Sequence, residues 1–177
     1  MQKSTKAKPA GRELVVSSAH LAAGGSPSLS ELEYGLILAS QAFMRWIVRC
    51  MAAAGVGNLS PTEVMILHTV RHRDRPKTVS DICLVLGIAD THVATYALRK
   101  LESADLVSAA RIQKEKAIRI TDHGLAALAR YSEIREKLLV SAVQVSTLEE
   151  GSLSDVASQL RVLSGFYDQA ARAAATF

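Results

Sequence analysis

The chain has 177 residues, 49 % hydrophobic and 21 % charged, which suits one globular domain with a sizeable core and excludes a disordered or fibrous protein. Aromatics are only 5 %, so aliphatic side chains must carry that core. The net charge of +4 does not by itself demand a polyanionic partner, and no continuous apolar run suggests a bilayer span or a signal peptide, so the expected compartment is the cytoplasm.

Residues 1–28 hold Lys3, Lys6, Lys8 and Arg12 among Gly, Ser and Pro, and read as a flexible basic N-terminal arm that Leu14-Val15-Val16 can dock. Residues 29–58 read as one long helix. Ser30 and Glu33 have the spacing of a capping box, with Leu29 and Tyr34 as its staple. Leu36, Ala39, Phe43, Ile47, Cys50 and Ala54 then recur at helical spacing up to Gly55 and Gly57. So broad an apolar face on a terminal helix serves either the core or a dimer contact. Cys50 and Cys83 lack any ligand or CxxC spacing and are expected to be buried, reduced thiols.

Residues 59–123 form the centre of the chain. Ser60, Pro61 and Glu63 open a helix with a cap, a favoured first residue and a box partner, flanked by the staple Leu59 and Val64. His68 is expected to pack on that helix rather than bind a ligand. The basic loop from Arg71 follows, where Arg73, Arg75 and Lys77 are candidates for phosphate contact. Thr78 and Asp81 cap a short helix whose expected buried side is Val79, Ile82, Cys83, Val85 and Leu86, and Gly87 ends it. Asp90 caps the next helix. Val93, Ala94, Ala97, Leu98 and Leu101 share one face of it, leaving Thr91, His92, Thr95, Tyr96, Arg99 and Lys100 on the rest. An apolar side that locks a helix to the body, opposite a hydrogen-bonding side with cations, is what reading a major groove requires. Residues 106–112 and 117–121 alternate as two strands around the tip 113–116, with Arg111, Lys114 and Lys116 as its cations. This is a helix-turn-helix followed by a wing, and it points to double-stranded DNA.

Residues 124–177 read as two further helices. Thr121 caps the first, which carries Leu125, Leu128, Ala129, Ile134, Leu138, Leu139 and Val143. After a break at 147–152, Val156, Leu160, Leu163, Phe166, Tyr167 and Ala170 mark the last. A small monomer has little core left for such helices to cover, so they are expected to form an intersubunit bundle.

In this order the elements resemble the MarR family of winged-helix transcription regulators over roughly residues 30–175. The likeness rests on Leu59-Ser60-Pro61, on Ser80-Asp81-Ile82 to Leu86-Gly87, on Leu98-Arg99-Lys100-Leu101-Glu102 with Leu106-Val107, and on Ile120-Thr121 with Gly124. The resemblance implies a mostly α fold with a small β-wing, a winged helix-turn-helix core and flanking dimerisation helices. It also implies a homodimer on duplex DNA, with Thr91, His92, Thr95, Tyr96 and Arg99 facing bases and Lys114 and Lys116 on the wing. Ligands in that family bind between the dimer helices and the DNA-binding lobe, which here makes Phe43, Trp46, Met51 and Met65 the candidate lining of a pocket for a small-molecule effector. Aromatic and Met residues at helical spacing equally serve plain core packing. The family's Asp-x-Arg wing motif is replaced by Gln113-Lys114-Glu115-Lys116, and the wing is shorter.

The shortened wing and low net charge leave a second reading, a winged-helix module for protein–protein assembly. An enzyme is not expected: the histidines have no HExxH spacing, and there is no Gly-rich phosphate loop or GxSxG elbow. No cofactor or metal is expected.

Overall fold

The computed structural model describes residues 14–177. Residues 1–13 of the expected arm therefore lie outside the described residues, and its described part, 14–28, holds a short helix, α1 (Ala19–Ala22), and the first residues of the next helix. α2 (Pro27–Ala53) begins one turn earlier than the Ser30 capping box suggests. Pro27 takes the first helical position, where its missing N–H costs nothing. Ser30 is instead buried, and its hydroxyl donates to the carbonyl of Leu21 at 2.9 Å, which ties α1 to α2.

α3 (Pro61–Arg71) has the expected start. Glu63 N donates to Ser60 Oγ at 3.3 Å, and Ser60 N donates to Glu63 Oε2 at 2.7 Å. α4 (Val79–Leu86) has the reciprocal pair between Thr78 and Asp81, and Gly87 closes it in the left-handed conformation at φ +64°. α5 (Thr91–Ser103) is capped by Asp90, whose carboxylate accepts from His92 N at 2.8 Å. α4 and α5 meet at 113°, within the range of a helix-turn-helix.

Strands β1 (Val107–Ile112) and β2 (Glu115–Ile120) pair antiparallel, with Val107 opposite Ile120 and Arg111 opposite Lys116. The wing is tighter than the sequence suggests. Glu115 and Lys116 belong to β2, so the turn is only Gln113 and Lys114, with Gln113 at φ +56°. Lys77 adds a bridge to Ile118 on the outer side of β2.

Thr121 caps α6 (Asp122–Arg135) by accepting from Gly124 N at 3.0 Å. The helix passes through a π turn at Glu136–Val140, where Ser141 donates its N–H five residues back to Glu136, and its hydroxyl adds a 2.9 Å bond to the same carbonyl. α7 (Ser141–Gln144) continues it, and α8 (Glu150–Ala174) starts before the expected Ser154.

The core lies between the C-terminal part of α2 and α3 to α6. Met51, Val64, Ile66, Leu67, Ile82, Leu101 and Leu106 are each fully buried there. Both cysteines are buried and free, and Cys50 Sγ donates to the Tyr131 carbonyl at 3.6 Å. Burial pushes the Cys50 thiol up from its ordinary range, away from the reactive thiolate.

α2 is long and apolar enough by length and hydropathy to cross a membrane. Its C-terminal third, however, is built into the core through Ile47, Cys50 and Met51. A bilayer span would have to pull those side chains out of the domain. The apolar residues left over, Leu36, Ile37, Leu38 and Phe43, lie further toward the N-terminus and are exposed.

Candidate nucleic-acid interface

The buried stripe of α5 is Ala94, Ala97, Leu98 and Leu101, at the i, i+3, i+4, i+7 spacing of a helix face. Val93 falls one position outside it and is 47 % exposed, contrary to the expected packing. The same rule explains α4. Ile82 and Cys83 are buried and Val79 and Leu86 half-buried on one stripe, while Val85 lies off it and is exposed, with Leu84 beside it. Small Ala94 and Ala97 let α5 seat closely on α3.

Opposite that stripe, His92, Tyr96 and Arg99 are exposed, with Tyr96 70 % accessible, and Thr91 is exposed at the start of the helix. Thr95 is half-buried, and its hydroxyl donates to the Thr91 carbonyl at 2.9 Å. Lys100 behaves differently. Its Nζ lies 2.9 Å from Glu63 Oε2 and donates to the Asn58 carbonyl. Glu63 is buried and also holds the capping bond of α3. One carboxylate thus anchors the start of α3 and the far end of α5, and Lys100 is a brace between them rather than a free cation. Two sequence-remote residues make this pair, so only the packed structure brings it to light.

On the wing, Arg111 and Lys116 face each other across the ladder, and Lys114 sits at the turn. Like charges directly opposite destabilise a bare hairpin, so the pair favours an anion laid against it. All three are exposed. Arg119, which the sequence reading does not single out, lines a small cleft of about 240 Å³ with Arg75, Asp74 and Pro76. The alternation Ile118-Arg119-Ile120 is the signal that sets it apart from its neighbours.

The basic loop is a 3₁₀ turn, His72–Asp74, with Arg73 at φ +60° and Asp74 at φ +47°. Two left-handed non-glycine residues cost about 1 kcal/mol or more each. Arg73 and Arg75 are exposed, and Arg71 pairs with Asp74 at 2.9 Å. Lys77 is 5 % exposed. Its Nζ donates to the carbonyls of His72 at 2.6 Å and Arg75 at 2.7 Å. Burial, then the neighbouring Arg75 charge, lowers its pKa from the ordinary lysine value. It is turned inward and does not offer its charge to a phosphate.

Behind the helix-turn-helix lies a groove of about 1030 Å³, lined among others by Phe43, Ile47, Met65, His68, Leu128, Tyr131, Arg71 and Arg135. Phe43 and Met65 of the expected pocket residues line it. Trp46 is half-buried against the core, and Met51 is at 0 % exposure inside the core. The His68 ring meets Tyr131 edge-on at 4.7 Å, and burial lowers the His68 pKa from its ordinary value.

Residues 59–124 match the family model of the winged helix DNA-binding domain. No curated protein matches the chain. Among solved structures, it is similar to Staphylococcus aureus MarR in complex with salicylate and kanamycin, at 12 % identity and a TM-score of 0.61, over 78 % of this chain and 91 % of that one. The S. aureus MepR–DNA complex aligns at 18 % identity and a TM-score of 0.59, over 76 % and 95 %. A MarR family transcriptional regulator from Silicibacter pomeroyi aligns at 18 % identity and a TM-score of 0.62, over 80 % and 94 %. The chain thus has the overall fold of the MarR family transcriptional regulators, and its residues 59–124 are similar to the winged helix DNA-binding domain.

Proposed function

We propose that this protein is a transcription regulator that binds specific duplex DNA as a homodimer in the cytoplasm. The observation that supports it most is the two-sided character of α5: one stripe is locked into the core, and Thr91, His92, Tyr96 and Arg99 stand free beside the cationic wing. In this reading α5 enters the major groove, Arg99 reads a guanine edge, and Val93 meets a thymine methyl group. Lys114, Lys116, Arg111, Arg73 and Arg75 neutralise flanking phosphates.

The dimer reading is supported by α8, which buries none of its 25 residues. Leu153, Val156, Leu160 and Phe166 are exposed along it, and α2 exposes Leu36, Ile37, Leu38 and Phe43. Such adjoining apolar faces fit a symmetric interface with a second copy. The groove beside Phe43 and Met65 has apolar walls that suit the body of a small organic effector, and its two arginines, Arg71 and Arg135, are paired with Asp74 and Glu136.

The test is duplex affinity of an Arg99→Ala/Lys114→Ala variant that stays folded and dimeric. Loss of the guanine contact alone should cost about 1–3 kcal/mol of sequence discrimination. Unchanged affinity and specificity would sink the assignment. Leu84 at 84 % and Val85 at 67 % exposure favour a second reading, a docking face for another protein, in which duplex binding would be weak and indifferent to salt.

A further inference from the structure

Lys77 stands among the basic residues of the loop yet is the one cation of that group that is buried. Its ammonium bonds two carbonyls, those of His72 and Arg75, that bracket the left-handed pair Arg73 and Asp74. The His72 carbonyl belongs to the C-cap of α3, where unpaired carbonyls and the helix dipole favour a cation. The backbone of the same residue is fixed to the wing: Lys77 N donates to Ile118 O at 2.9 Å, and Ile118 N donates to Lys77 O at 2.8 Å. One residue therefore joins the end of α3, the arginine loop and β2.

We propose that Lys77 is a positioning residue for DNA binding: its side chain clamps the loop so that Arg73 and Arg75 are held beside the wing, and it touches no phosphate itself. This rests on the DNA-binding reading above. Arg73 and Arg75 both stand in solvent, and the loop that carries them has an unfavourable backbone that no glycine relieves. Without the ammonium, the His72 and Arg75 carbonyls lose their partner and the loop is free to leave the left-handed conformation.

The test compares the full-length protein with Lys77→Met, Arg73→Ala/Arg75→Ala and the triple variant. Duplex affinity is measured against salt concentration, and hydrogen exchange is followed at the Lys77 and Ile118 amides. Each phosphate contact contributes about −0.9 to the log–log slope. Lys77→Met should flatten the slope by about 1.8, as the double arginine variant does, and the triple variant should be no flatter. Both amides should exchange faster. A further loss of about 0.9 in the triple variant would make Lys77 a phosphate ligand and overturn the proposal. So would an unchanged slope with unchanged exchange. Methionine can fill the site of a buried cation without loss of folding. If it does not, Lys77→Gln, a polar side chain too short to reach both carbonyls, should also flatten the slope without adding to the arginine substitutions, and additivity would again overturn the clamp. Should the native protein bind no duplex with salt dependence, the functional reading fails by itself. The clamp is then decided by exchange, with faster amides upholding it and unchanged amides overturning it.

Discussion

A Leu160→Glu substitution in α8 should convert the protein to a folded monomer and lower duplex affinity by about 10²–10⁴-fold, the gain that comes from linking two binding modules. Leu160 is 36 % exposed and lies on a helix with no buried residue, so a carboxylate there can still reach water in the isolated chain. In a dimer the same carboxylate meets its symmetry mate's apolar face and must be desolvated without a partner. Light scattering should show half the native mass, while the circular dichroism spectrum keeps its helical content. A variant that remains dimeric and binds with native affinity would place the interface elsewhere. The Tyr167 hydroxyl, which donates to Glu33 at 3.2 Å, marks where α8 meets α2 within one chain.

Gly124→Ala should be the most damaging small substitution in the domain. A Cβ built at this position would clash with the Leu106 carbonyl oxygen and sit 2.8 Å from Ile120 Cγ1. The carbonyl is backbone and cannot swing away. The start of α6 would have to lift off the base of the wing, losing the bond from Gly124 N to Thr121 Oγ1 and that from Thr121 N to the Leu106 carbonyl. Overpacking of this kind costs about 1–3 kcal/mol or more, which corresponds to about 2–4 °C per kcal/mol in Tm for a chain of this size. Gly57→Ala, with nothing within 4 Å, is the control and should leave Tm unchanged. Equal melting of the two variants would mean that α6 and the wing are less tightly joined than the geometry demands.

Much of this fold is legible in the sequence because local chemistry and global packing agree. The boxes Ser60–Glu63 and Thr78–Asp81, the Asp90 and Thr121 caps and the stop at Gly87 all appear as read. The Ser30 box does not, because Pro27 offers an earlier start and α1 takes the Ser30 hydroxyl for a tertiary bond. The sequence places Val85 and Val93 inside, since an apolar residue next to a buried stripe is hard to tell from a member of it. A single helix turn then decides, and only the 79, 82, 83, 86 and 94, 97, 98, 101 stripes reach the core.

The site divides in the same manner. Exposed groups on α5 and the wing follow directly from periodicity. Lys77 and Lys100 carry the same charge as their neighbours, and composition cannot tell a cation that waits for a phosphate from one already satisfied. That depends on where the carbonyls of His72, Arg75 and Asn58 and the carboxylate of Glu63 come to lie. Those positions are set by chain segments up to 42 residues apart.

The most direct measurement is binding of the full-length protein to a duplex from upstream of its own gene, titrated against salt beside an unrelated duplex. A steep log–log slope of about −0.9 per phosphate contacted, with clear preference for the upstream duplex, is the predicted result. Flat, weak binding to both duplexes would contradict the account and turn attention to the exposed Leu84 and Val85 face as a site for another protein.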